Sequence, residues 1–306
     1  MLPVWMEAST RGLRPVGPLC LKATGLADNP LVHVPKAALP VLQKANALRR
    51  RVQGRVSSFD LIQWNEVSYG ERMRQHVHIW ELNDLCPRDG WPAVLLIHGG
   101  GWREGSWRDY ESYGPQLSRK GLMVAAMDYR LAPEHPWPAQ LDDVLEAIAF
   151  LRSQLTDPDR IALWGHSAGG HLAMMAALAK PEWVRCVVAL GAPSDLRDLH
   201  PDETQEVFGD QDLRACSPAM LPSESGPPML LVHGEHDPVC SIHQARDHAK
   251  SRAGVELIEV AEGDHGLRWP PLACFKARRD AQNWMIDQLD LPERGSKWRR
   301  RKKKNR

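Results

Sequence analysis

The sequence predicts an α/β protein: a mostly parallel central sheet with helices packed on both faces. Three observations predict it. From residue 91 onward, short apolar runs alternate with amphipathic stretches. The first five runs are nearly continuous in hydrophobicity, as strands covered on both faces must be. The residues that carry chemistry follow directly after such runs, where an open α/β sheet gathers its ligand loops.

Taken in order, residues 1–35 are punctuated by Pro and Gly and hold no sustained period. Lys36–Phe59 reads as a helix. Leu39, Leu42, Ala45, Leu48 and Val52 recur at helical steps, and Arg49, Arg50 and Arg51 lie toward the end where cations suit the helix dipole. Phe59–Val67 and Met73–Leu82 read as strands, the second with Val77 and Ile79 alternating against polar neighbours. Six runs follow: Ala93–Ile97, Leu122–Met127, Arg160–Trp164, Val184–Leu190, Met229–Val232 and Glu256–Val260. Between them lie helical stretches at Ala139–Leu155, Ala168–Ala179, Ser241–Ala253 and Pro271–Leu289. In the first, Leu141, Val144, Leu145, Ile148, Leu151 and Leu155 form one stripe. Ala192–Pro228 is too long for a simple connection and reads as a lid or binding excursion.

Composition narrows the function classes. The formal charge of +1 conceals a split, because Lys297–Arg306 holds eight basic residues and no acidic one. The remainder has 31 basic residues against 38 acidic, an acidic body with a basic end. That end reads as a solvated tail able to contact anionic partners weakly. No apolar run approaches the roughly 18 residues of a membrane span. Cys20, Cys86, Cys186, Cys216, Cys240 and Cys274 include no C-x-x-C pair, so reduced thiols in a cytoplasmic protein are the expectation.

The strongest motif is Gly165-His166-Ser167-Ala168-Gly169, between a strand and a helix of small residues. A turn that sharp strains its central residue and lifts Ser167 Oγ to a helix N-terminus, where the dipole favours developing negative charge. His98-Gly99-Gly100-Gly101-Trp102 follows another strand. Three glycines let backbone N–H groups converge with no side chain in the way. With the N–H of Ala168, those of Gly100 and Gly101 would form an oxyanion hole. A phosphate loop is disfavoured, because no lysine follows at Walker spacing.

A nucleophilic serine needs a base, and the base an orienting carboxylate. Asp237 follows the run Met229–Val232, and His265 follows Glu256–Val260, which gives the chain order Ser167, Asp237, His265. Competing readings carry less. His233, His236 and Asp237 resemble a metal cluster, but a three-residue histidine step at a strand end does not aim both rings at one point. Glu235 and Asp264, the alternatives to Asp237, are expected to face solvent or brace loops. Cys240 is expected to pack, since no histidine is placed to activate it.

Together these motifs resemble the α/β-hydrolase superfamily, specifically the hormone-sensitive-lipase-like esterases of bacterial family IV. The marker is the segment Asp128-Tyr129-Arg130-Leu131-Ala132-Pro133-Glu134-His135-Pro136-Trp137-Pro138-Ala139, with His98–Trp102 matching the oxyanion motif. His166 departs from the family's usual aspartate and is similar to kynurenine-formamidase-like hydrolases. The resemblance implies an α/β-hydrolase fold with a small cap. Residues 1–58 would be an N-terminal extension, in part cap; 59–291 the hydrolase domain, with 192–228 as a lid insertion; and 292–306 the basic tail.

The function it implies is hydrolysis of a small or medium carboxylic ester through an acyl-serine, with the partner a small-molecule ester or amide. No cofactor or metal is implied. Arylformamide hydrolysis is the alternative, and a non-catalytic receptor on the same scaffold a third reading. Trp102, Trp107 and Trp137 fall in loops near the expected active face.

Overall fold

A computed structural model of the chain describes residues 61–82, 90–154, 156–221 and 226–291. The helix expected at Lys36–Phe59 and the basic tail, 292–306, lie outside the described residues. Eight strands form one sheet: β1 (Leu61–Ser68), β2 (His76–Leu82), β3 (Trp91–Ile97), β4 (Met123–Met127), β5 (Thr156–His166), β6 (Cys186–Leu190), β7 (Met229–Gly234) and β8 (Val255–Val260). Their order across the sheet is β1-β2-β4-β3-β5-β6-β7-β8. β2 runs antiparallel to both β1 and β4, and every other pairing is parallel. This is the α/β-hydrolase fold.

The helices are α1 (Gly114–Ser118), α2 (Ala139–Ser153), α3 (Ala168–Ala179), α4 (Pro201–Phe208), α5 (Ile242–Ser251) and α6 (Pro271–Gln288). Because side chains alternate along a strand, the sheet feeds two cores. Leu95, Ile97, Leu163, Val187 and Leu231 pack one way with α2 and α3. Leu96, Trp164, Val188, Leu230 and Val232 pack the other way with α1 and α6. Covering on both faces explains why β3, β4, β6 and β7 are buried along their full length.

Among the described residues the expected strands and helices occur, with ends shifted by a few residues. The exception in length is β5, which starts at Thr156 rather than Arg160 because Thr156 pairs with Trp91 of β3. Two elements had no expectation. α1 is too short to show a period, and α4 lies within the stretch read as a lid.

Candidate active site

Ser167 stands at the end of β5 with φ 52° and ψ −123°, in the sector that side-chain-bearing residues avoid. The strain is held by packing. A Cβ on Gly169 would run into the carbonyl oxygens of Ile97 and His98, so the turn can press against the end of β3 only with glycine there. The peptide N–H of Ser167 donates to Leu190 O at 2.8 Å, fixing the turn to β6 as well. Ala168 is the first residue of α3, where the N–H groups have no partner within the helix.

The oxyanion loop leaves β3 beside it. Gly100 takes φ +103°, and its carbonyl accepts from the N–H groups of both Arg103 and Glu104, closing a tight turn. Among the described residues, no backbone hydrogen bond engages the N–H of Gly100, Gly101 or Ala168. These donors therefore remain available to an incoming group. Gly100 and Gly101 border the same cavity as Ser167.

Asp237 and His265 converge on the serine from β7 and β8. His265 Nε2 lies 3.0 Å from Ser167 Oγ, and His265 Nδ1 lies 2.8 Å from Asp237 Oδ2. An ionised carboxylate only accepts, so Nδ1 carries the proton and Nε2 is left to accept from the serine hydroxyl. The Asp237 side chain is fully buried. Burial would raise its carboxyl, but donation from His233, His265 and the Cys240 N–H outweighs that and holds it well below the usual carboxylate range. The other oxygen, Oδ1, accepts from the N–H groups of Val239 and Cys240, each at 2.9 Å.

His166, met in the sequence only as a departure from a motif, has a structural task. Its Nε2 donates to the backbone carbonyl of His265 at 2.9 Å, tying the serine turn to the histidine loop. Burial pushes its imidazole down, which keeps it neutral for that role.

The neighbouring side chains take other places. Asp264 braces its own loop, accepting from the N–H groups of Arg268 and Trp269, and Glu235 accepts from the N–H of Glu262. Cys240 is buried, and burial likewise encloses the thiols of Cys186, Cys216 and Cys274. His233 is buried while His236 is exposed, so the two rings do not share a site. Among the described residues no group of three metal-binding side chains converges.

The rings of the three loop tryptophans pack into the cores. Trp102 borders the cavity, but its side chain is buried in an aromatic group with His171, Trp137 and Phe208. Trp107 packs on the opposite core, its ring stacked at 4.1 Å on His78. The alternating sheet sends loops over both faces, and a tryptophan in a loop can serve either one. Trp137 is likewise core rather than wall, and the segment around it holds the oxyanion loop: the N–H of Ala132 donates to Trp102 O, and Tyr129 Oη donates to His98 O. Within that segment Arg130 grips the buried Asp143 with an ion pair of 2.6 Å.

The cavity has a volume of about 510 Å³. Its apolar wall comes from Pro193, Leu199 and Val239, and Arg103 and Glu104 stand at its polar side. Pro193 and Leu199 belong to the stretch read as an excursion, and Arg103 pairs with Glu206 of α4 at 3.0 Å. Val239 follows Asp237 within the acid loop, whereas Pro193 and Leu199 were marked only by lying in the long excursion, with no motif of their own.

The family profile described as BD-FAE matches residues 86–251, ending before His265. Esterase LipC of Mycobacterium tuberculosis is 30% identical over 244 residues, which cover 66% of this chain and 59% of that protein. The chain spans about half to three-fifths of the length of LipC and of two further mycobacterial relatives, LipM and LipQ. Among solved structures, a truncated carbohydrate esterase from gut microbiota superposes with a TM-score of 0.66 at 21% identity, over 76% of this chain and 98% of that one. A butyrate-bound esterase 2 of Thermogutta terrifontis superposes with a TM-score of 0.65 at 23% identity, over 76% of this chain and 96% of that one. At these identities the structural likeness concerns the fold.

Proposed function

The chain belongs to the BD-FAE family of the α/β-hydrolase superfamily, and from that premise we propose that it hydrolyses small or medium carboxylic esters through an acyl-serine intermediate. The observation that carries the reading is the unbroken chain of contacts from Asp237 Oδ2 through His265 to Ser167 Oγ, at 2.8 Å and 3.0 Å, opening on the cavity.

In this reading His265 Nε2 takes the Ser167 proton as Oγ bonds to the ester carbonyl carbon. Asp237 stabilises the imidazolium and keeps its tautomer. The carbonyl oxygen becomes an oxyanion, which the N–H groups of Gly100, Gly101 and Ala168 stabilise. The carbon–oxygen bond of the ester then breaks, and the leaving alcohol takes the proton from His265. A water molecule, deprotonated by the same histidine, releases the acid and restores Ser167.

The esterases among the relatives support the reaction class, and the cavity supports the substrate size. The test is Ser167→Ala. Turnover of p-nitrophenyl butyrate should fall by about 10⁴-fold or more, as removal of a nucleophile does elsewhere. Equal turnover by the variant and the wild type would sink the assignment.

A further inference from the structure

We propose that His233 is a positioning residue of the active site: a second imidazole that holds the Asp237 carboxylate from behind and thereby sets the basicity of His265. The inference rests on the hydrolase reading above.

His233 lies in β7 one residue before its end, and its side chain is 2% exposed. Strand alternation puts it on the same face as Met229 and Leu231, an apolar environment where an imidazole needs partners. It has two, and both are acceptors. Nε2 lies 2.8 Å from the carbonyl oxygen of Cys240 and 3.2 Å from Asp237 Oδ2. Two acceptors on one nitrogen fix the proton there, so His233 is the Nε2–H tautomer.

The oxygen it reaches is the one that receives His265 Nδ1–H. Oδ2 thus takes two imidazole donors and Oδ1 takes two backbone donors, from Val239 and Cys240. A carboxylate so held cannot rotate away from His265. The second donor also draws charge from Oδ2, which weakens the pull of the carboxylate on a protonated His265. His233 does not border the cavity, so it acts only through Asp237. The other groups facing His265 are Ser167 Oγ, the His166 ring at 5.2 Å and, behind its loop, Arg278, which donates to the carbonyls of Gly266 and Leu267.

Side-chain reach supplies the test. The amide nitrogen of glutamine falls near the place of imidazole Nε2, and that of asparagine near Nδ1. His233→Gln should keep kcat within about twofold and leave the acidic limb of the kcat/KM profile in place. His233→Asn should lower kcat by about tenfold at unchanged KM, the scale of losing an outer partner of an active-site ligand. It should also move the acidic limb upward, because His265 is then freer to hold a proton. An unmoved limb in folded His233→Asn, or His233→Gln as impaired as His233→Asn, would overturn the proposal.

A measurement on the wild type covers the case in which variants do not fold. In protein labelled with ¹⁵N-histidine, His233 should show a protonated Nε2 and a bare Nδ1. The opposite tautomer would also refute it. A wild type that turns over no ester would defeat the hydrolase reading instead, and the tautomer measurement would still decide the His233–Asp237 contact.

Discussion

Trp102 Nε1 donates to His171 Nδ1 at 3.3 Å, joining the loop that carries Gly100 and Gly101 to the helix that carries Ser167. His171 in turn donates from Nε2 to Cys216 O at 2.8 Å, so its tautomer is fixed and it can accept from the indole. The bond ties the loop of Gly100 and Gly101 to the turn of Ser167 through two buried side chains.

His171→Phe keeps the aromatic packing but leaves the Trp102 indole N–H without its acceptor. We expect a loss of about 1–3 kcal/mol in stability, the usual cost of a buried unpaired donor. A lower kcat should accompany it, with KM little changed. Urea unfolding and steady-state kinetics on p-nitrophenyl butyrate check the two parts separately.

Acid should destabilise the fold through buried histidines. Burial lowers His78, His171 and His248 from about 6.5 to about 4. Neither ring nitrogen of His78 or His248 has a hydrogen-bond partner among the described residues. Their folded values lie below their unfolded ones, so the unfolded chain binds more protons between these limits. Stability is therefore full above pH 6.5 and falls as pH drops toward 4, by up to about 3 kcal/mol for each histidine. His76, raised by its bond to Asp128 against the opposing effect of burial, contributes a smaller slope of the opposite sign. Urea midpoints between pH 8 and pH 4 measure the net trend, and a flat series would contradict it.

The cavity should select short acyl chains. With a volume of about 510 Å³ bounded by Leu199 and Val239, kcat/KM should favour p-nitrophenyl acetate and butyrate over palmitate by more than about tenfold. Leu199→Ala should shift the optimum to longer chains. A wild-type profile peaking at palmitate would overturn the proposed substrate range.

Gly169→Ala tests the close approach beneath the serine. The added methyl meets two backbone oxygens, which cannot swing aside as a flexible side chain would. We expect a soluble variant destabilised by about 2–4 kcal/mol, or one that does not accumulate, with little labelling of Ser167 by a fluorophosphonate. Wild-type stability and labelling would contradict the packing described.

Much of this was legible beforehand for identifiable reasons. Ser167 and Asp237 each follow a strand buried at its end, and such strands announce themselves as apolar runs, while His265 follows the edge strand β8, whose outer positions are polar. The α3 stretch could be bounded because its glycines and alanines serve close packing. His233 was seen only as a doubtful metal ligand, since its partner lies four residues away around a turn that the sequence does not describe. Which core the ring of Trp107 joins is not legible in the sequence, because a loop residue carries no periodicity. The walls at Pro193 and Leu199 belong to a segment whose course depends on tertiary packing, and no local pattern marks those two residues.

The register of β3 against β5 sets Ile97 beside Gly165, so the oxyanion loop and the serine turn spring from neighbouring strands at the same height. The reacting centre is thereby built on the middle of the sheet, while Pro193 and Leu199 arrive from a connection outside it. One part of the cavity wall is thus carried by a connection separate from the strands that hold Ser167, Asp237 and His265. The connection after β6 can lengthen, shorten or change its side chains, and each version meets the same fixed serine. A single scaffold can in this way present the same Ser167–His265–Asp237 contacts to cavities of different shape.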